Sequence, residues 1–231
     1  MSDPNVYVML MSSLPSPEAL FLAKRPPLSR LKLDRRLRVL APGHARALGL
    51  TEKVLHWGDI PLATTDAEVV ARARRAVREI DNETVRLLIR DRLEIRTCVA
   101  ALRRRHRGEP APASGADWGF GRWTRHIARN WTEARFRLDA VFPWLREADE
   151  LLQEGETLSL QRLILQQAWK SANRRKGAHQ YDFEAVVVYV LKWNIVDRWR
   201  RYHGEQAAER FDRLTEDGLG DYADLFGEGR T

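Results

Sequence analysis

The segment Tyr181–Tyr202, YDFEAVVVYVLKWNIVDRWRRY, constrains this chain more than any other stretch. Asp182 is placed to cap a helix, and Glu184 puts negative charge in its first turn, where the helix dipole favours it. From Ala185 to Val196 apolar residues occupy nearly every face, interrupted by Lys192 and Asn194. A helix apolar almost all round is buried on several sides. This one is too short and too interrupted to span a bilayer. Asp197, Arg198, Arg200 and Arg201 then turn it polar, and Gly204 offers a stop. The segment reads as the central helix of a helical bundle, and nothing in it looks catalytic.

The rest of the chain supplies partners for that helix. Short helices are expected over Arg30–Leu40, Gly43–Gly49 and Glu52–Trp57. Longer ones are expected over Ala67–Ile80 behind Asp66, Glu83–His106 behind Asp81, and Leu158–Arg175 closed by Gly177. Phe120, Trp123, Ile127, Trp131, Ala134, Leu138 and Val141 recur at spacings of three and four. They predict one further helix over Phe120–Phe142, ended or kinked by Pro143. Asn5–Leu14 reads instead as a short buried strand or an extended apolar arm, ended by Pro15 and Pro17. Gly108–Asp117, with two Pro and two Gly, reads as a linker. The expectation is an all-α bundle of two packed lobes: residues 1–107, a linker 108–117, residues 118–217, and an acidic tail 218–231.

Composition narrows the class. With 44% apolar and 31% charged residues the chain is expected to fold and stay in solution. Cys98 is the only cysteine, which rules out an intrachain disulfide and fits a reducing compartment. Residues 1–13 do not read as a secretory signal. A cytoplasmic protein is expected, peripheral to the inner face of a membrane if it serves a membrane complex. The eight Trp fit core and inter-helix grooves. The net charge of +7 is unevenly spread: Lys24–Arg46 holds eight Lys/Arg against Asp34, whereas Glu205–Glu228 holds eight acids against Arg210 and Arg213. These are either solvated helix faces plus a tail, or two surfaces for different partners.

No pattern for chemistry emerges. Gly115, Gly119 and Gly121 fit neither a dinucleotide fingerprint nor a P-loop. The six His residues form no i,i+3 or i,i+4 pair, so no metal or cofactor is expected. Glu147, Glu150 and Glu154 read as a solvated face. Cys98 falls opposite the apolar stripe of its helix with no His beside it in sequence. On helix 83–106, however, Arg92, Arg96 and Arg103 project from the apolar half. A buried Arg needs a carboxylate or several carbonyls, so Arg92 and Arg96 are expected to form structural ion pairs between helices. Arg103, Arg104, Arg105 and Arg107 form a basic patch suited to a helix C-terminus or to partner contact. The separate basic clusters leave a basic helical nucleic-acid-binding protein as the alternative reading.

Two motifs at the ends of the chain carry a resemblance. Tyr7, Leu10 and Ser13-Leu14-Pro15 resemble the opening of an uncharacterised bacterial family whose genes lie among those of V/A-type rotary ATPases. Tyr181-Asp182-Phe183-Glu184, Tyr189, Leu191-Lys192 and Arg198-Trp199 are similar to that family's C-terminal motif, with weaker likeness around Asn82–Arg96. The family in turn resembles, distantly, the C subunit of those ATPases (the d subunit in eukaryotes), an all-helical socket between central shaft and membrane rotor ring. The resemblance implies a non-catalytic adapter or assembly partner. Its expected partners are central-stalk and membrane-ring subunits; nucleic acid is not among them.

Overall fold

The computed structural model describes residues 4–16, 21, 26–56, 64–177 and 179–202, and among them the chain is all-α, with no strand. The first helix, α1, spans Pro4–Ser13, which corrects the expectation of a strand or extended arm there. Pro4 stands in the first turn, where its missing N–H costs nothing. Tyr7, Leu10 and Leu14 are buried at helical spacing while Val8 and Met9 face solvent. Spacing outweighs the β-like Val/Tyr/Met composition.

Local signals set the next boundaries. α2 covers Arg30–Leu37 behind Ser29, whose hydroxyl accepts from the Lys32 N–H at 3.4 Å. α3 covers Pro42–Leu55 and runs through Gly49, fusing the two short helices expected over Gly43–Gly49 and Glu52–Trp57; Trp57 itself lies outside the described residues. α4 (Asp66–Glu79) begins with a capping box. The Thr65 hydroxyl accepts from the Glu68 N–H, and the Glu68 carboxylate accepts from the Thr65 N–H at 2.8 Å, so Thr65 is the cap rather than Asp66. α5 (Glu83–His106) starts where expected, but its cap is Asn82, which accepts from the Val85 N–H at 3.0 Å.

The stripe at Phe120–Phe142 does not form one helix. It breaks into α6 (Thr124–Arg129), a 3-10 turn at Ala134–Arg137 and a loop before α7 (Leu145–Gln153). The Asn130 side chain donates to the His126 carbonyl at 2.8 Å, where α6 ends. Arg135, Phe136 and Arg137 then take left-handed backbone angles, φ 47°, 57° and 55°. Such residues cost roughly 1–3 kcal/mol each in strain. Complete burial of Phe136, under the Arg105 guanidinium 4.7 Å from its ring centre, offsets part of that cost. The apolar residues of the stripe thus wrap around the end of α5: Ile127, Trp131 and Leu138 are buried, but Val141 is exposed.

α8 (Thr157–Lys176) ends at Gly177, whose φ of 47° suits glycine. α9, helical over residues 183–202, is capped by Asp182, which accepts from the Ala185 N–H at 2.9 Å. It is buried on most of its circumference, as its sequence requires. Val186, Val187, Val188, Val190, Ile195 and Val196 are each at most 4% exposed. Burying each such side chain is worth about 1.5–3 kcal/mol against leaving it in water, enough to override the β preference of the Val run.

One core unites α1–α4, the first half of α5 and the start of α9; a second surrounds the far half of α5 with α7, α8 and residues 118–138. The 108–117 segment therefore divides the sequence but not the core, because Phe183–Trp193 pack among residues 7–93. α5 runs through both cores as a shared spine. Trp118, Trp131, Trp193 and Trp199 are buried and Trp123, Trp144 and Trp169 half-buried, matching the packing role expected for them. The acidic tail 218–231 lies outside the described residues.

Candidate functional site

Where α9 turns from apolar to charged, it passes α3, α5 and α8 and leaves a cleft of about 280 Å³. Leu55, Leu88 and Ile195 give it apolar walls, and Arg92, Ser171, Asn194, Arg198, Arg201 and Tyr202 bring polar groups to it from three helices. One side is fixed by a hydrogen-bonded network in which Arg30 is half-exposed and Glu52 largely covered. Glu52 accepts two hydrogen bonds from Arg30, at 2.6 and 2.9 Å, and one from Asn194 at 2.9 Å. Burial works against the Glu52 carboxylate, but these hydrogen bonds from Arg30 and Asn194 outweigh it and hold its pKa below the usual range. The same bond to Glu52 raises the Arg30 pKa. α2, α3 and α9 are locked together at this point.

The opposite side is cationic. Burial pushes the Arg92 guanidinium down to about 9, with Arg198 adding to the effect, so it still carries its charge at pH 7. Burial also lowers Arg198, followed by the charges of Arg103, Arg201 and Arg96. Arg96, one turn further along α5 and not part of the cleft lining, is lowered by burial, while the Asp66 carboxylate favours its charge. Both Arg92 and Arg96 lie half-buried between helices, as their place on the apolar half of α5 requires. Arg201 in this cleft is already held by the Asp197 carboxylate. The guanidinium groups of the cleft do not serve as bases at neutral pH, and the Ser171 hydroxyl donates to Asp91 at 3.1 Å.

The Arg103–Arg107 run is not presented as one patch. Arg104 pairs with Asp66 at 3.0 Å and Glu109 at 3.1 Å, and Arg107 pairs with Glu109 at 2.6 Å. Arg105 donates to the Glu133 carbonyl at 2.6 Å and to Asp149 at 3.2 Å, holding the left-handed turn against α5. Arg103 is half-buried, and its pKa is lowered by burial first, with Tyr202 opposing and the Arg107 charge adding to the shift.

Cys98 is 1% exposed inside the second core rather than opposite the apolar stripe, because α5 is covered on all sides there. Burial, then Glu94, pushes its thiol up to about 12, far from a nucleophile's range. His179, Asp182 and Glu184 bring ligand atoms within 4.8 Å of one another. All three already serve the fold. Asp182 caps α9 and bonds His179 at 2.6 Å, and Glu184 accepts from Asn82 at 2.7 Å, tying the starts of α5 and α9. The positive end of a helix dipole disfavours a cation at this place. Glu147, Glu150 and Glu154 are exposed, as expected for a solvated face.

No protein-family model, curated protein or solved structure matches the chain. Sequence reasoning singled out Arg92 but missed its companions. Asn194 was visible as a polar interruption in an apolar helix, yet its partner Glu52 stands 142 residues away.

Proposed function

We propose that this chain is a non-catalytic, all-helical adapter or assembly partner of a bacterial V/A-type rotary ATPase, acting between shaft subunits and the membrane rotor ring. The observation that carries the reading is the meeting of the two end motifs. Tyr7, Leu10 and Leu14 share one core with Phe183, Val186 and Tyr189, and the Tyr189 hydroxyl donates to the Pro15 carbonyl at 2.9 Å. The residues that resemble the family thus form one folded unit. A linking part must be stiff. α5 and α9, buried over most of their length, are suited to carry load without bending. Among the described residues no helix is long and apolar enough to cross a membrane, so attachment at the cytoplasmic face runs through protein contacts in this reading.

The test is a pull-down of the full chain from native membranes at moderate ionic strength. Central-stalk and membrane-ring subunits should be recovered, and the purified chain alone should hydrolyse no ATP. Deleting it should uncouple hydrolysis from ion pumping or stop assembly. Recovery of nucleic acid with no ATPase component would overturn the reading in favour of a basic nucleic-acid-binding protein, whose affinity should fall steeply with salt.

A further inference from the structure

α4, α5 and the loop at residues 119–124 enclose a second, more open groove of about 510 Å³ on another face of the molecule. Two glycines bring the loop close to α5. A Cβ on Gly119 would lie 2.7 Å from Thr97, and one on Gly121, at φ +122°, would lie 2.4 Å from Glu94. Thr97 both donates to the Phe120 carbonyl and accepts from its N–H, at 2.9 Å each, which sets the Phe120 ring into the groove wall. Val77, Leu87 and Phe120 give the groove an apolar floor.

The rim is basic. Arg74, Arg78, Arg90, Arg122 and Arg175 line it against two carboxylates, Asp91 and Glu94. Both carboxylates are already satisfied. Arg175 bonds Asp91 at 2.8 and 3.0 Å, and Arg122 bonds Glu94 through its backbone N–H and its guanidinium, at 3.1 Å each. Arg78 is exposed and makes no ion pair among the described residues. Arg74 holds Asp117 through two hydrogen bonds, at 2.7 and 3.0 Å, whereas Arg90 meets Glu83 only at 3.8 Å, all between half-exposed side chains. Exposed pairs are worth about 0–1 kcal/mol, with the single long contact of Arg90 at the weak end and the bidentate one of Arg74 at the strong end.

We infer that this groove docks an acidic amphipathic helix of a partner protein, its apolar face on Val77, Leu87 and Phe120 and its carboxylates on the arginine rim. Arg74 and Arg78 stand four residues apart on α4, so they match two carboxylates one turn apart on a facing helix. The inference deepens the adapter reading by naming where a partner is held, yet it stands on charge complementarity that no ATPase component is needed to test.

The experiment titrates full-length protein into three fluorescent probes: a designed helical peptide of Glu and Leu at amphipathic spacing, its counterpart with Lys in place of Glu, and a single-stranded DNA oligonucleotide. The Glu peptide should bind, more weakly as salt rises, and the Lys peptide should not. Arg78→Glu with Arg90→Glu should weaken Glu-peptide binding by about tenfold or more, and Arg46→Glu on α3 should leave it unchanged. Arg78→Ala, a change at an exposed position that is compatible with a stable fold, should give a smaller loss in the same direction. Absence of binding, equal binding of the Lys peptide, tighter binding of the oligonucleotide, or indifference to the groove variants would each overturn the inference. Peptide binding without ATPase co-purification would sink the adapter reading alone. Co-purification that survives the charge reversals would sink the groove alone.

Discussion

The hydroxyl of Tyr189 donates a 2.9 Å hydrogen bond to the carbonyl of Pro15, joining α9 to the exit of α1 across 174 residues of chain. Around it, Arg36 donates to the Ser13 carbonyl at 2.6 Å, and His44 stacks on Phe183 with ring centres 4.1 Å apart while hydrogen-bonding Tyr7. The exit of α1 is thus held from α2 and from α9. A Pro-interrupted exit from a helix leaves carbonyls without partners, and this arrangement satisfies two of them from neighbouring helices.

Tyr189→Phe removes that bond and nothing else of the ring's packing. A hydrogen bond of this kind contributes about 0.5–1.5 kcal/mol net, which in a chain of this size lowers Tm by roughly 2–4 °C per kcal/mol. Burial raises the Tyr189 pKa to about 12 despite the nearby Arg36 charge, so the hydroxyl remains a donor through the ordinary pH range. A urea midpoint unchanged in Tyr189→Phe would mean that water replaces the bond without loss.

The Arg30–Glu52–Asn194 network predicts an acid-side loss of stability. Glu52 has a folded pKa below its unfolded one, so its contribution is complete above the unfolded value of about 4.3 and is lost as pH falls through the folded value. Glu52→Gln should be less stable than the native chain at pH 7, by about 1 kcal/mol given that Arg30 is partly solvent-screened. The gap should close as pH drops below about 4. Parallel stability curves for the two proteins from pH 7 to pH 3 would refute the linkage.

How much of this was legible in advance depends on the range of the interaction. α4, α5, α8 and α9 follow from periodicity together with local end signals; Asp182 caps α9 as expected, while Thr65 and Asn82, each one residue from the Asp expected, cap α4 and α5. The Phe120–Phe142 region misled because Ile127, Trp131 and Leu138 are buried at helical spacing by a chain that is not one helix. Spacing reports which residues are covered, and here a left-handed turn achieves the same coverage. The cleft was illegible for a different reason. Arg92, Ser171, Asn194 and Arg198 come from three helices, and only their packing brings them together.

The loop against α5 gives a paired prediction. Gly121→Ala must accommodate both a φ of +122° and a Cβ 2.4 Å from the Glu94 side chain, whose carboxylate is anchored by Arg122. Backbone strain alone is about 1–3 kcal/mol, and displacing Glu94 adds to it. Gly115→Ala shares a positive φ, +82°, but its Cβ would meet nothing within 4 Å. It should therefore cost less than Gly121→Ala by the whole of the clash. Equal denaturation midpoints for the two variants would show that the loop does not press on Glu94.

The last prediction concerns the single thiol. Cys98 is 1% exposed among Ile95, Val99 and Leu102, with burial and then Glu94 pushing its pKa up to about 12. At pH 8 the native thiolate fraction is negligible and no reagent can reach the sulfur, so an aromatic disulfide reagent should label the folded protein only when it opens. The rate should rise with urea in step with unfolding, and full denaturation should release one equivalent. Raising pH alone, short of unfolding, should accelerate labelling little, because access and not ionisation is limiting. Cys98→Ser should destabilise more than Cys98→Ala, since the hydroxyl would be buried among apolar side chains. Rapid stoichiometric labelling of the native protein at neutral pH would place the sulfur at an accessible, activated position. It would also reopen the case for nucleophilic chemistry, which the packing of α5 opposes.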